Sequence, residues 1–332
     1  MNLKKLMGAV LICTVLLSGC TKSDDDTEES GNWVKSSEFE GVARTEAVSF
    51  VINDIAFVGT GYDGEGTDRL KDFWQYDAGR NSWDQVADFG GTARSSAVAF
   101  AAAGKGYVGT GYDGLDDLKD FWEYNPTTNE WSRIADFGGS ERINAVAFGI
   151  DNNGYVSTGY DGNYLKDFWQ YNATSGTWSK LASMPGSKRD QAVAFVYNNK
   201  GYIVGGSNNG QTVNDIWEFD PTESSWTEKR KISNVSDDSY DDDYDDIVRS
   251  NAIGFVMGGK AYITTGSSST AWEYDFTNDL WSEKSGFEGS SRAGAVAFSV
   301  NSRGFITTGN SGTTVFDDLW EFKPLETLDE DD

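Results

Sequence analysis

The chain contains no histidine among its 332 residues. That absence excludes histidine general bases, Ser-His-Asp and Cys-His nucleophile pairs, and every metal site that needs imidazole. Cysteine is nearly as scarce: Cys13 and Cys20 are the only two, both within the first twenty residues. The rest of the chain therefore has no disulfide, thiolate nucleophile or cysteine-ligated metal. Positive charge is short too, with 27 Lys plus Arg against 53 Asp plus Glu and a formal net charge of −26. Phosphate neutralisation needs clustered Lys and Arg, so nucleic acid is not expected as a partner. Only four prolines occur, while 38 glycines and 14% aromatic residues mark a folded, strand-leaning composition.

What is present is a repeat. The twelve tryptophans form six pairs: Trp74, Trp122, Trp169, Trp217 and Trp272 are each followed nine residues later by Trp83, Trp131, Trp178, Trp226 and Trp281. Trp320 opens a sixth pair, whose second member lies at the other end of the chain as Trp33. A third series keeps the register: Arg44, Arg94, Arg142, Arg189, Arg249 and Arg292, each 11 residues after a second-series Trp except Arg249, which lies 23 after Trp226. That boundary carries a 12-residue insertion containing the acidic run Asp237–Asp246. Each Arg precedes a short apolar run such as Ala97-Val98-Ala99-Phe100, and turn residues separate four short strands per repeat. Four antiparallel strands at this period predict a β-propeller rather than a helical solenoid. The last repeat ends at Trp320-Glu321-Phe322 with no outer strand, and Asn32-Trp33-Val34 is expected to supply it and close the ring.

Across residues 31–323 this pattern resembles the kelch family: a start Arg, an apolar strand, a Gly-Gly pair, an aromatic–acid–Pro turn, then a Trp. Gly205-Gly206 keeps the Gly pair, while Thr60-Gly61, Thr110-Gly111 and Thr158-Gly159 depart from it. Glu123-Tyr124-Asn125-Pro126 and Glu218-Phe219-Asp220-Pro221 match the turn. The fold class expected is all-β, a six-bladed kelch-type propeller. The resemblance implies that the face carrying the start arginines binds ligand. Some relatives are copper oxidases, but they need His ligands and a Tyr–Cys cross-link, which this body cannot supply. Others are six-bladed sialic-acid mutarotases, which would need a poised carboxylate or Arg on that face.

The N-terminus reads as a targeting device. Lys4 and Lys5 precede an apolar run, Leu6–Leu17, too short to span a bilayer. Leu17-Ser18-Gly19-Cys20 resembles the bacterial lipobox, which makes Cys20 the lipidated first residue of the mature chain. Thr21-Lys22-Ser23-Asp24-Asp25-Asp26 resembles the lysine-then-acidic export signal of surface lipoproteins in the Bacteroidetes group. The expected organisation is a signal peptide at 1–19, an acidic linker at 20–30, the propeller at 31–323 and an acidic tail at 324–332.

Two groups stand out as candidate ligand-binding residues. The start arginines Arg44, Arg94, Arg142, Arg189, Arg249 and Arg292 form either an anion-binding ring or buried clamps. In the second case each pairs with the Asp that opens its blade's third strand: Asp72, Asp120, Asp167, Asp215 and Asp318. Blade five has Thr270 at that position, so Arg249 is expected to lack a carboxylate there, and either an aspartate of the 12-residue acidic insertion substitutes for it or Arg249 faces an incoming anion. The loops Tyr62-Asp63-Gly64, Tyr112-Asp113-Gly114 and Tyr160-Asp161-Gly162 suit sugars, since an aromatic face covers C–H groups while a carboxylate accepts from hydroxyls. The same loops also read as plain Asp-Gly turns. Asp237–Asp246 lacks the turn glycine and closing Glu of a calcium loop, and no metal or cofactor is expected. Glu46, Glu141 and Asp190 flank start arginines without forming a repeated acid–base pair. The expectation is a lipid-anchored, monomeric envelope protein, at the outer membrane or exposed on the surface, that binds a glycan or an acidic peptide or protein. A carbohydrate-active enzyme of the mutarotase kind is the alternative.

Overall fold

The computed structural model describes residues 31–65, 68–230 and 247–329. The signal peptide, Cys20, the acidic linker, the run Asp237–Asp246 and the last three residues lie outside them. Six four-stranded antiparallel sheets surround one axis. In blade two the strands are Val98–Ala102, Lys105–Gly109, Phe121–Asn125 and Glu130–Arg133, running from the axis outward. The inner strands of neighbouring blades touch all the way round, and Val48–Ile52 of blade one meets Ala293–Val300 of blade six.

Every inner strand alternates in the same way. Val98, Phe100 and Ala102 are buried, whereas Ala99 and Ala101 are half-buried. Successive side chains on a strand point to opposite faces, so one set enters the seam between blades and the other meets the axis. Small residues at the axial positions, Ala47, Ala97, Ala145, Ala192, Ala252 and Ala295, let six strands converge and leave a channel of about 190 Å³. The core consists of seams rather than one centre. Val98 and Phe100 of blade two pack with Val156 and Tyr171 of blade three, and the other seams follow suit. Emptying one such position, as in Phe100→Ala, would cost about 3–5 kcal/mol.

Four tryptophans at the outer-strand position pin their blade to the one before it. Trp131 donates its indole N–H to the Ala87 carbonyl at 3.1 Å, Trp178 to Ala135 at 3.2 Å and Trp226 to Ala182 at 3.3 Å. Trp33 does the same to Ser285 of blade five, at 3.1 Å. The strand Asn32–Lys35 pairs antiparallel with Leu319–Lys323, placing Trp33 opposite Phe322. The N-terminal segment is thus the outer strand of blade six, as the displaced Trp predicts, and no blade edge is left unpaired at the joint. Arg303 adds a second stitch across this joint, bonded to Glu321 of its own blade and to the Ala78 carbonyl of blade one at 2.7 Å.

Chain direction fixes the two faces. Each start Arg precedes an inner strand, so the arginines and the loops between second and third strands share one face, called here the upper face. Asn32–Lys35 runs toward that face and leads to Arg44. Gly31 therefore enters from the lower side, where its N–H bonds the Glu326 carbonyl at 2.9 Å.

Candidate functional site

Beneath the upper face sit the start arginines. Arg94 is fully buried and grips Asp120 with two parallel bonds of 2.8 and 2.9 Å. Its Nε donates to the Thr92 carbonyl at 3.0 Å and its Nη1 also reaches the Thr110 carbonyl at 2.9 Å. Phe89 lies 4.8 Å from the guanidinium carbon. Gly91 has no side chain because a Cβ there would come 2.9 Å from Arg94 Nη2 and 2.8 Å from Trp122 Nε1. Trp122 donates its indole N–H to Asp120 Oδ2 at 2.7 Å, so the carboxylate accepts from Arg and Trp together. Blades one, three and six repeat this arrangement through Asp72, Asp167 and Asp318, and Arg189 pairs with Asp215 in blade four. Burial pushes these carboxyls up. The facing Arg bonds and charge and the Trp N–H pull harder, so all five are held below the usual carboxylate range.

Five of the six arginines are therefore blade clamps, turned into their own blades rather than toward the axis. Arg249 corrects a further expectation. Thr270 does replace the Asp, but Arg249 is only 2% exposed. It donates to the Thr270 carbonyl at 3.0 Å, to Thr270 Oγ1 at 2.5 Å and to the Thr265 carbonyl at 3.2 Å. Short blade-five loops bring backbone oxygens to the guanidinium, which is not presented to an incoming anion.

The clamps also explain the missing glycines. Thr60, Thr110, Thr158, Thr265 and Thr308 all have positive φ, between 57° and 64°, and each lends its carbonyl to an Arg. Gly205 does this in blade four at φ 64°. A β-branched residue is strained there, and all five threonine hydroxyls are buried without a partner. The carbonyl must point at the Arg, so Thr takes the shape that Gly takes freely.

What encircles the axis is a different set, two positions after each Arg: Glu46, Ser96, Asn144, Gln191, Asn251 and Gly294. All six have left-handed backbone, with φ between 53° and 62°. Five of their N–H groups donate to the equivalent carbonyl of the preceding blade: Glu46 to Gly294 at 2.7 Å, Ser96 to Glu46 at 3.1 Å and Asn144 to Ser96 at 3.2 Å. Gln191 donates to Asn144 at 3.0 Å and Asn251 to Gln191 at 3.2 Å. This backbone belt frames a mouth of about 260 Å³ opening into the channel. No Lys or Arg lines it among the described residues. Its donors and acceptors are amides, a hydroxyl and the Glu46 carboxylate, which accepts from Ser96 Oγ at 2.7 Å. The belt escaped sequence reading because its residue types vary and only their offset from Arg repeats. Just outside it lies Asp190, 9% exposed. Burial pushes its carboxyl above the usual range, and the Asn144 amide offsets this only in part.

On the rim, the three Tyr-Asp-Gly loops are built as turns. Asp63 Oδ1 accepts from the Glu65 N–H at 2.9 Å, Asp113 Oδ1 from Leu115 and Asp116 at 2.8 Å each, and Asp161 Oδ1 from Asn163 at 3.1 Å. Arg69 lies between two rings, 4.4 Å from Tyr62 and 5.2 Å from Tyr112. Tyr160 instead meets Tyr164 edge to face at 5.2 Å.

Among known proteins, a family model for the KLHDC2/KLHL20/DRC7 kelch-repeats domain matches residues 140–283, and a kelch-motif model matches residues 107–138. No curated protein matches the sequence significantly. The solved structure of YjhT is similar, with a TM-score of 0.69 and 17% identity, covering 86% of this chain and 96% of that one. At such identity the likeness speaks for the fold alone. The two family matches fall within blades two to five. The chain is a six-bladed β-propeller that carries kelch repeats.

Proposed function

We propose that this protein is a glycan-binding protein of the cell envelope, anchored by a lipid on Cys20, which takes a neutral sugar residue in the mouth of its axial channel. The observation that carries the reading is the belt of six left-handed residues. Strained backbone persists where the surroundings enforce it and gathers at ligand sites. Here it turns amide, hydroxyl and carboxylate groups toward one opening, the donor and acceptor mixture that sugar hydroxyls need. The missing cation and the buried arginines weigh against an acidic peptide at this mouth. A lipid anchor agrees with the topology, because Gly31 enters from the lower side and an anchored molecule would turn its mouth outward. Metabolic labelling with a fatty-acid analogue tests the anchor: labelling should vanish in Cys20→Ala, and its persistence would refute this half. A glycan array on the soluble chain from Thr21 tests the other half. Binding should be lost in Asn144→Ala and Asn251→Ala, and an array indifferent to both changes would refute the mouth.

The alternative, a sugar-converting enzyme, draws on Asp190. A buried carboxyl with a raised pKa beside a polar mouth could pass protons near neutrality. Exchange of sugar anomers followed by NMR, lost in Asp190→Asn, would favour that reading over simple binding.

A further inference from the structure

We propose a second sugar subsite on the rim between blades three and four, formed by Tyr160, Tyr164, Lys188, Asn208 and Asn209, that accepts a carboxylated sugar residue of the uronate type. It rests on the glycan-binding reading and gives that glycan a charge.

These side chains line one cleft of about 240 Å³. That lies below the roughly 300–1,000 Å³ of drug-sized pockets, a size for one sugar ring rather than a chain. The blade-three loop differs from its two neighbours. In blades one and two the tyrosine rings are covered by Arg69, and the Tyr112 hydroxyl donates to the Gly114 carbonyl at 2.8 Å. Tyr160 has no such cover. It contacts Tyr164 edge to face, which leaves ring surface toward the cleft, and neither hydroxyl bonds another described residue. Blade four supplies the opposite wall through the small hairpin Ser207–Asn208 and Gln211–Thr212, whose amides project at its tip.

Lys188 gives the ligand its sign. It is exposed, lines the cleft, and makes no hydrogen bond or ion pair among the described residues, in a chain with 53 acidic side chains. Several other lysines are held by carboxylates, such as Lys105 by Glu123 and Lys200 by Glu218 at 2.7 Å. Tyrosine faces suit sugar C–H surfaces, amides suit hydroxyls, and an uncommitted ammonium suits a carboxylate. The Asp161 carboxyl is bonded to Asn163 within its own turn and makes no ion pair with Lys188 among the described residues.

The test is calorimetric titration of the soluble chain with trigalacturonate and with its methyl ester, which has the same rings without the charge. The acid should bind more tightly than the ester. Lys188→Ala should weaken the acid about tenfold, the loss of one charge-assisted hydrogen bond, and leave the ester unchanged. Lys188→Glu should reverse the preference, and Tyr160→Ala should weaken both sugars. Equal binding of acid and ester, no binding of either, or selectivity that survives Lys188→Ala would overturn the proposal. Matching circular dichroism melts for the variants exclude misfolding as the cause. Asn144→Ala separates the two readings: weaker binding of acid and ester alike, with the acid preference retained, keeps the rim site, whereas an acid preference abolished by Asn144→Ala but not by Lys188→Ala would place charge recognition at the mouth and overturn the rim site.

Discussion

Replacing Asp120 by Ala should destabilise the propeller far more than its partly exposed position suggests. Asp120 accepts two bonds from Arg94 and one from Trp122. The Arg94 side chain is 0% exposed while that of Asp120 is 20% exposed. Removing the carboxylate leaves a buried guanidinium charge with only the Thr92 and Thr110 carbonyls, and takes the acceptor from Arg94 Nη2 and the Trp122 indole N–H. Breaking a buried pair from one side costs about 3–5 kcal/mol. Unfolding entropy near 2.1 cal/mol/K per residue, over a propeller of about 300 residues, converts this to a melting shift of roughly 5–8 °C. The control is Asp84→Ala, which removes a 2.6 Å bridge to Arg80 whose two side chains are 58% and 49% exposed. Exposed pairs contribute about 0–1 kcal/mol, so that shift should be within about 2 °C. Differential scanning calorimetry on both variants gives the answer. The double change Arg94→Met with Asp120→Leu should recover part of the loss, because no charge is then left buried. If Asp120→Ala and Asp84→Ala melt alike, the clamp reasoning fails.

Other consequences follow from the same geometry. Thr110→Gly should be neutral or stabilising by about 1 kcal/mol in urea melts, since it relieves a left-handed β-branched residue and a buried unpaired hydroxyl against a modest unfolded-state cost. Destabilisation by more than that would contradict the strain argument. Deleting 32–41 removes Trp33, 1% exposed, and Phe39, 2% exposed, and should cost well over about 5 kcal/mol with aggregation, whereas deleting 21–30 should leave the melt unchanged. The five clamp carboxyls titrate below their unfolded range. Their stabilisation is therefore complete above about pH 4 and is lost as the pH falls through the lowered folded values, which a pH series of melts should show. Asp190 has the opposite sign: its folded pKa is raised, so its ionised form opposes folding. Asp190→Asn should raise the melting temperature near neutrality and leave it unchanged in acid, where the carboxyl is already protonated.

The architecture was legible from spacing. Two Trp series nine residues apart and an Arg series in constant register are readable without contacts, because each blade repeats the same local chemistry and each repeat must pack against the next. The missing outer strand of the last repeat, and its counterpart around Trp33, were legible for the same reason. The pairing of five arginines with the Asp opening the third strand was legible as one of two readings, since a ring of cations requires carboxylates. The direction of those arginines was not. A guanidinium at the start of an inner strand can turn toward the axis or into its own blade, and only the placement of the Thr110 carbonyl and the Trp122 indole decides for the blade. Arg249 shows the same limit: losing an Asp does not expose a cation when the shortened loop brings backbone oxygens to it. The belt of Glu46, Ser96, Asn144, Gln191, Asn251 and Gly294 was least visible, because its common property is a backbone angle, which side-chain identity does not encode. The uncovered Tyr160 beside Lys188 depends on which loop of the next blade faces it, and that is settled only when six sheets close into a ring.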